Sequence, residues 1–327
     1  MFKICVVGCG GMSTSGHGPS FRKYAKDYED VVLAACCDLD AEKAKRYADS
    51  FGFQKWYTDY EQMLAECKPD VVSLISPVKL TKSLSIALMK LGYHVIMEKP
   101  PGLDSGEIME MIAQAEASKV SVRTCFNRRY TPLIRKLKER LAGKRIYNIT
   151  YQMYRYNRRD DDFATTAIHA IDVVKDIVGA DYESVNFHYQ EMPHVNPTAA
   201  NFYLDCAFEN GAVGQITMVP MGGVVIERIT VNVEGESFFV ELPFWENLDA
   251  PGRLTHMKNG QLVEEITGDS LVDSTAMFEE SGFYEENRDF FEYLRRGEPI
   301  HCDLYSGIQS VDIANAMRQR QARYEKR

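Results

Sequence analysis

Val6-Val7-Gly8-Cys9-Gly10-Gly11-Met12-Ser13 follows directly on the short apolar run Lys3–Val7. A strand ending in glycines at this spacing can turn sharply into a helix and let another molecule approach its backbone. A diphosphate resting there would meet free N–H groups and the positive end of the helix dipole. Gly8 and Gly10 fit the first two positions of a dinucleotide-binding turn. Ser13 stands at the third, where a small side chain still permits close packing of helix on strand. The same residues also suit a glycine-rich loop without a ligand, so the surroundings have to decide.

Outward from this turn, strand and helix alternate. Lys3–Val7, Val31–Cys37, Val71–Ile75, His94–Met97 and Ser121–Thr124 are apolar runs of buried-strand length. Asp40 caps a helix over Ala41–Phe51 that Gly52 ends. Thr58-Asp59-Tyr60-Glu61 and Asp104-Ser105-Gly106-Glu107 have capping-box spacing, and a helix over Leu80–Leu91 stops at Gly92. Such alternation predicts a doubly wound parallel sheet covered on both faces, an α/β Rossmann domain over 1–122. The second strand ends in Cys37-Asp38. A carboxylate there accepts both ribose hydroxyls and repels a 2′-phosphate, which favours NAD over NADP, although Lys43 is close in sequence. Asp38 equally suits a place beside a helix N-cap.

Beyond residue 122 the pattern changes. Asn148–Tyr156, Ser184–Gln190, Asn201–Phe208, Ala212–Pro220, Glu227–Val233 and Ser237–Glu241 read as successive strands, with hairpin turns at Glu209-Asn210-Gly211 and Glu234-Gly235-Glu236. One helix, Thr166–Val178, interrupts them, and helices over Tyr284–Arg296 and Leu304–Arg323 close the chain. Residues 123–327 therefore read as an α+β domain with a large open antiparallel sheet.

Composition limits the partners. In 327 residues, 45% are hydrophobic and 26% charged, and the net charge of −9 argues against nucleic acid or an anionic membrane surface. The eight cysteines are too sparse for a disulfide scaffold and show no metal-ligand spacing, and the histidines show none either, so no metal is expected. No secretory leader and no apolar stretch of spanning length is visible, which points to the cytoplasm.

Two places carry proton chemistry. Met97-Glu98-Lys99-Pro100-Pro101 closes a parallel strand, the end at which such sheets bind ligands. A lysine there would stand near the nicotinamide, whose positive charge when oxidised favours a neutral amine able to take a proton. It also suits a surface lysine before a proline turn. On the helix Thr166–Val178, His169 and Asp172 share a face away from the apolar stripe. A histidine ionises near neutrality and can take a hydroxyl proton while hydride leaves the same carbon, with Asp172 orienting the ring or binding substrate hydroxyls. The alternative is a helix salt-bridged to its surroundings. Arg155, within Tyr154-Arg155-Tyr156-Asn157-Arg158-Arg159 ahead of Asp160-Asp161-Asp162, could hold a sugar acid or stack on a pyranose; it also suits a strand running into a charged loop.

Taken together the chain resembles the glucose-fructose oxidoreductase / inositol dehydrogenase / MocA (Gfo/Idh/MocA) oxidoreductases. The matching residues are Gly8-Cys9-Gly10-Gly11-Met12 with His17 downstream, Cys37-Asp38-Leu39-Asp40, Ile75-Ser76-Pro77, Gly92 to Pro100, and Phe126-Asn127-Arg128-Arg129-Tyr130. The resemblance implies that Gly8, Gly10, Gly11 and Met12 cradle the pyrophosphate and that Asp38 holds the adenosine ribose. It implies Ser76-Pro77 as a turn over the cofactor, Glu98 on the nicotinamide ribose, Lys99 at the reacting substrate oxygen, and Asn127 and Arg128 near the nicotinamide pocket. His169 looks like the histidine that ends an Asp-x-x-x-His segment in many members. Here the sequence departs, because Thr165 stands where those members carry Asp. Thr cannot serve as a carboxylate base, so Lys99 and His169 would do the proton work with Thr165 as a neutral hydrogen-bonding group.

The expectation is an NAD-dependent oxidoreductase moving hydride between nicotinamide and a secondary hydroxyl of a sugar, cyclitol or glycoside. Two rivals stand beside it: an NAD-dependent glycoside-cleaving enzyme without net redox change, and a non-catalytic nucleotide-binding regulator. The resemblance also implies a homodimer or homotetramer.

Overall fold

The computed structural model of the protein describes residues 1–159, 162–245 and 247–326, and the chain folds into two compact units. The first comprises Met1–Asn127 and Phe283–Ile308, the second Arg128–Gly282 and Gln309–Arg327.

In the first unit six strands, β1 (Phe2–Val7), β2 (Val31–Cys37), β3 (Lys55–Tyr57), β4 (Val71–Leu74), β5 (His94–Glu98) and β6 (Val122–Cys125), form one sheet in the order β3-β2-β1-β4-β5-β6. Every neighbouring pair is parallel. The central strands β1, β4 and β5 are buried on both faces along most of their length, and Ile4, Cys5, Val6, Val71, Val72, Val95 and Ile96 are fully buried. Each such side chain contributes roughly 1.5–3 kcal/mol of transfer free energy. Crossover helices α1 (Gly18–Asp27), α2 (Ala41–Phe51), α3 (Tyr60–Cys67), α4 (Val78–Lys90) and α5 (Ser105–Ser118) complete the unit. Asp40 caps α2 by accepting from the N–H groups of Glu42 and Lys43, and Gly52 ends it at φ +84°. The cap of α3 is Asp59, which accepts from Glu61 and Gln62, and not the Thr58 of the expected box. Asp59 is one residue closer to the first turn and its carboxylate is the stronger acceptor. Asp104 caps α5 through Glu107 N–H as its spacing implies.

The second unit is built on a nine-stranded sheet. Its strands are β7 (Asn148–Tyr156), β8 (Tyr182–Glu191), β9 (Ala200–Phe208), β10 (Val213–Gly222), β11 (Ile226–Val233), β12 (Glu236–Glu241), β13 (Arg253–Lys258), β14 (Gln261–Thr267) and β15 (Arg323–Glu325). Their order is β14-β13-β12-β11-β7-β10-β9-β8-β15. The sheet is large and mostly antiparallel, as expected, with β7 lying parallel to β10 in its centre. The chain leaves β7, covers one face as a helix, and returns beside it through the β8–β9–β10 meander. Hairpin turns at Gly211 (φ +83°) and Gly235 (φ +70°) join β9 to β10 and β11 to β12. The helices of this unit are α6 (Pro132–Leu141), α7 (Ala164–Val178) and the single turn α8 (Met277–Glu280). The closing helices are α9 (Phe283–Arg295) and α10 (Leu304–Arg318).

A boundary at residue 122 misplaces α9. Phe291 packs on Phe2, Phe21 and Tyr24 of the first unit, and Asp303 N–H donates to the Val122 carbonyl. The helix is amphipathic, and its periodicity alone does not say which core it joins. Among the described residues no helix is long and apolar enough to cross a membrane.

The switch point of the first sheet lies between β1 and β4, where the connections leave in opposite directions. There Gly8 adopts φ +102°, and a Cβ on it would lie 2.0 Å from the Ile75 carbonyl oxygen. Gly8→Ala is therefore expected to lower the free energy of unfolding by about 2 kcal/mol or more, measured by urea denaturation. A cost below about 0.5 kcal/mol would show that the two strand ends separate freely.

Candidate functional site

The glycine turn runs from β1 into a helix whose first part is a π-turn, Ser13–His17, before α1. Gly8 is fixed by sterics, whereas a Cβ on Gly10 or Gly11 would meet nothing within 4 Å. The space beside these two glycines is open, as a cradle for a diphosphate requires. Close helix packing comes from Gly16 and Gly18, where a Cβ would strike the rings of Phe283 and Phe51 at 2.8 and 2.5 Å. Ser13, the expected third position, is buried. Met12 is part-exposed at the helix start.

Asp38 follows β2 and ties the turn together. Its Oδ2 accepts from Cys9 N–H at 2.9 Å and its Oδ1 from Asp40 N–H at 3.0 Å. Each carboxylate oxygen keeps acceptor capacity for a ribose hydroxyl. Asp38 thus also braces the turn before α2, the second role its sequence position suggested. Across the switch point Ser76 shares a hydrogen bond with Thr81 at 3.3 Å, and Pro77 precedes α4 as its N-cap.

Glu98 is the last residue of β5, only 9% exposed. Its Oε1 lies 2.9 Å from His17 Nε2, and its Oε2 accepts from Lys99 N–H at 3.0 Å. Burial pushes its carboxyl up, but the His17 hydrogen bond and the neighbouring Lys99 charge outweigh it and hold the group below the ordinary glutamate value. Lys99 is half-buried after the strand end. Asn127, almost fully buried, is the last residue of the first unit before Phe283. These residues fit a dinucleotide: open backbone at a helix start, an acidic group after β2, and a held carboxylate after β5.

In the second unit the site is built around a buried carboxylate that sequence reading missed. Glu227 has no exposed surface and accepts from Arg128 Nη2 at 2.8 Å, from Arg155 Nη2 and from the Tyr151 hydroxyl. Arg128 stacks its guanidinium over Phe244, 4.2 Å from the ring centroid, and reaches His169 Nε2 at 3.4 Å through Nη1. Trp245 lies over both guanidinium groups, at 5.9 Å from that of Arg128 and 5.6 Å from that of Arg155. Burial pushes the Glu227 carboxyl up, and the charges of Arg128 and Arg155 reverse this and hold it at about 2. The signal was present in the strand pattern. Arg155 falls in phase with buried Ile149, Tyr151 and Met153 of β7, and Glu227 in phase with Ile229, Val231 and Val233 of β11. Two opposite charges in core phase on adjacent strands imply a buried pair.

Two expectations on substrate contacts, those for Arg155 and Asp172, are corrected. Arg155 is 1% exposed and spent on Glu227 and on the Tyr154 carbonyl, which leaves it no face for a sugar. Asp172 takes a two-point ion pair from Arg129, at 2.7 and 2.6 Å, and a hydrogen bond from Ser310, so its buried carboxylate anchors α7. The Thr165 hydroxyl donates to the Asp162 carbonyl at 3.1 Å and closes the first turn of α7. Of the acidic run before it, Asp160 and Asp161 lie outside the described residues.

Since the folded value of Glu227 lies below its ordinary 4.5, its ionisation stabilises the protein above about pH 4.5, and this is lost as pH falls toward 2. The loss is expected to be on the order of 3 kcal/mol. Unfolding free energies measured across this window should show it in the wild type and not in Glu227→Gln, itself destabilised by roughly 3–5 kcal/mol. Parallel pH profiles would contradict the assignment.

Comparison with known proteins now places the chain. Residues 2–126 match the family description "Oxidoreductase family, NAD-binding Rossmann fold", and residues 163–325 match its "C-terminal alpha/beta domain". A myo-inositol 2-dehydrogenase of Thermotoga maritima is 26% identical over 56% of this chain and 57% of its own length. An inositol 2-dehydrogenase/D-chiro-inositol 3-dehydrogenase of Lactiplantibacillus plantarum is 26% identical over 96% of this chain and 89% of its own. The match spans 39% of the D-glucoside 3-dehydrogenase of Escherichia coli and 50% of an NADP(+)-linked scyllo-inositol 2-dehydrogenase of Bacillus subtilis, about half or less of each. Among solved structures, a levoglucosan dehydrogenase in complex with NADH and levoglucosan superposes with a TM-score of 0.82 at 19% identity over 99% of both chains, which shows a shared fold. Both halves of the family description are thus met in order along one chain, and the protein belongs to the Gfo/Idh/MocA oxidoreductase family.

Proposed function

We propose that this protein is an NAD-dependent dehydrogenase that oxidises a secondary hydroxyl of a cyclitol, sugar or glycoside. The observation that carries the reading is the arrangement at the β1–β4 switch point. Gly10 and Gly11 leave open space at a helix start, and Asp38 presents a carboxylate after β2. The Asp38 charge favours NAD, since a 2′-phosphate beside it would be repelled. The family relatives named as inositol and glucoside dehydrogenases support the substrate class.

When bound, NAD supplies the hydride acceptor. The chain's own work is binding and proton handling. Gly8, Gly10, Gly11 and Met12 provide the backbone for the pyrophosphate, Asp38 the adenosine ribose contact and Glu98 the nicotinamide-side ribose contact. Lys99 Nζ is the candidate to take the hydroxyl proton as the carbon loses hydride, with His169 as the second candidate. Arg128 presents only N–H donors, so at 3.4 Å it engages the Nε2 lone pair of His169, which would have to be released from Arg128 before it could take a proton. Polar groups of the substrate would have to be met by residues other than Arg155 and Asp172, whose charges are already engaged.

The test is reduced-nicotinamide absorbance while the protein and NAD meet a panel of cyclitols, sugars, sugar acids and glycosides. A rise with one class is expected, reduced about 100-fold or more by Lys99→Ala. A flat trace with glycoside cleavage would replace this reading by redox-neutral cleavage, and a flat trace without cleavage would refute it. Asp38→Ala is expected to weaken NAD binding about tenfold and to improve NADP binding relative to NAD; an unchanged ratio in calorimetric titrations would remove Asp38 from the ribose site.

A further inference from the structure

We propose that His17 and Asn287 form a buried clamp that fixes the Glu98 carboxylate, and so act as positioning residues for the nicotinamide half of the nucleotide site. This rests on the reading of the first unit as an NAD site. All the residues concerned belong to that unit.

His17 is the last residue of the π-turn after the glycines, and it has no exposed surface. A π-turn takes more residues per turn than an α-helix and so shifts the phase of the helix it leads into, a device common at functional sites. The imidazole is enclosed by Phe21 at 5.9 Å and by the edge of Phe283 at 5.2 Å between centroids. Phe283 can come this close because Gly16 carries no side chain: a Cβ there would lie 2.8 Å from the ring.

The hydrogen bonds allow one arrangement of protons. Asn287 Nδ2 lies 2.7 Å from the Phe283 carbonyl oxygen, so the amino group of the amide must point there; the reverse orientation would set two oxygens against each other. The same amino group lies 3.1 Å from His17 Nδ1 and supplies its second N–H to that atom. His17 Nδ1 is therefore an acceptor, the ring proton sits on Nε2, and Nε2 donates to Glu98 Oε1 at 2.9 Å. The other carboxylate oxygen is held by Lys99 N–H at 3.0 Å. Glu98 is thus pinned at both oxygens by N–H donors, which fix its direction. The clamp also ties the helix that starts at the phosphate-binding turn to the strand end that carries Lys99. A side chain that served only to fill the core would not require a defined tautomer or the amide of Asn287.

The experiment uses the full chain and two variants that split the ring's functions. In His17→Gln the side-chain amide reaches the place of Nε2, and in His17→Asn it reaches only that of Nδ1. Calorimetric titration with NAD is expected to give His17→Gln within about threefold of wild type and His17→Asn about tenfold or more weaker, the size of one charge-assisted hydrogen bond. In a Glu98→Ala background His17→Asn should cost nothing further. ADP, which lacks the nicotinamide half, should bind wild type and His17→Asn alike. Equal losses in both backgrounds, or a matching loss of ADP binding, would overturn the proposal in favour of a structural role. Nitrogen NMR of the wild-type protein gives a readout independent of any variant's folding. It should show His17 protonated at Nε2 and not at Nδ1, and the opposite tautomer or a doubly protonated ring would overturn the clamp. A wild-type protein that does not bind NAD would refute the proposed function, while the NMR result would still decide the tautomer.

Discussion

The approach of Gly8 to Ile75 sets the geometry on which the rest of the first unit depends. Adjacent parallel strands β1 and β4 send their chains to opposite sides of the sheet, and the crevice this leaves is the ligand site of such folds. Only a residue without a Cβ, at φ +102°, lets the two strand ends lie this close. That crossing gives rise to the open backbone at Gly10 and Gly11, the reach of Asp38 to Cys9 N–H, and the path of the helix that delivers His17 to Glu98. Conformational freedom at one glycine thus becomes, several residues on, the orientation of a carboxylate.

The second unit solves a different problem, that of keeping a charged centre inside a sheet core. Glu227 and its partners Arg128, Arg155 and Tyr151 are nearly or wholly buried, at a desolvation cost that only mutual pairing offsets. The pairing is complete enough to hold Glu227 ionised far below the usual carboxylate range. Its consequence for chemistry is rigidity: Arg128 is held by Glu227 and by Phe244 while it touches His169. Asp172 does the same for α7 through Arg129. Two acidic residues that could have met a substrate instead hold the scaffold beneath His169.

Much of this was legible in the sequence where local rules govern it. The five longer strands of the first sheet, the cap of α2 at Asp40 and the strand β7 stand where hydrophobic runs and turn residues place them. The parallel pairing of β7 with β10 was not legible, since strand direction in a mixed sheet is set by the helix returning between them and not by alternation. The roles of Arg155 and Asp172 were misread for a common reason: each is settled by a partner distant in sequence. Glu227 was in core phase on its strand, and that phase was the clue. Asn287 gave no local clue at all, because its meaning depends on α9 joining the first unit.

The central claim is hydride transfer from a substrate carbon to the nucleotide. Incubating the protein and NAD with carbon-deuterated cyclitols and sugars, and weighing the recovered cofactor by mass spectrometry, tests it most directly. The account predicts reduced cofactor carrying one deuterium from the substrate. Reduced cofactor without deuterium, or none with any member of the panel, would contradict it.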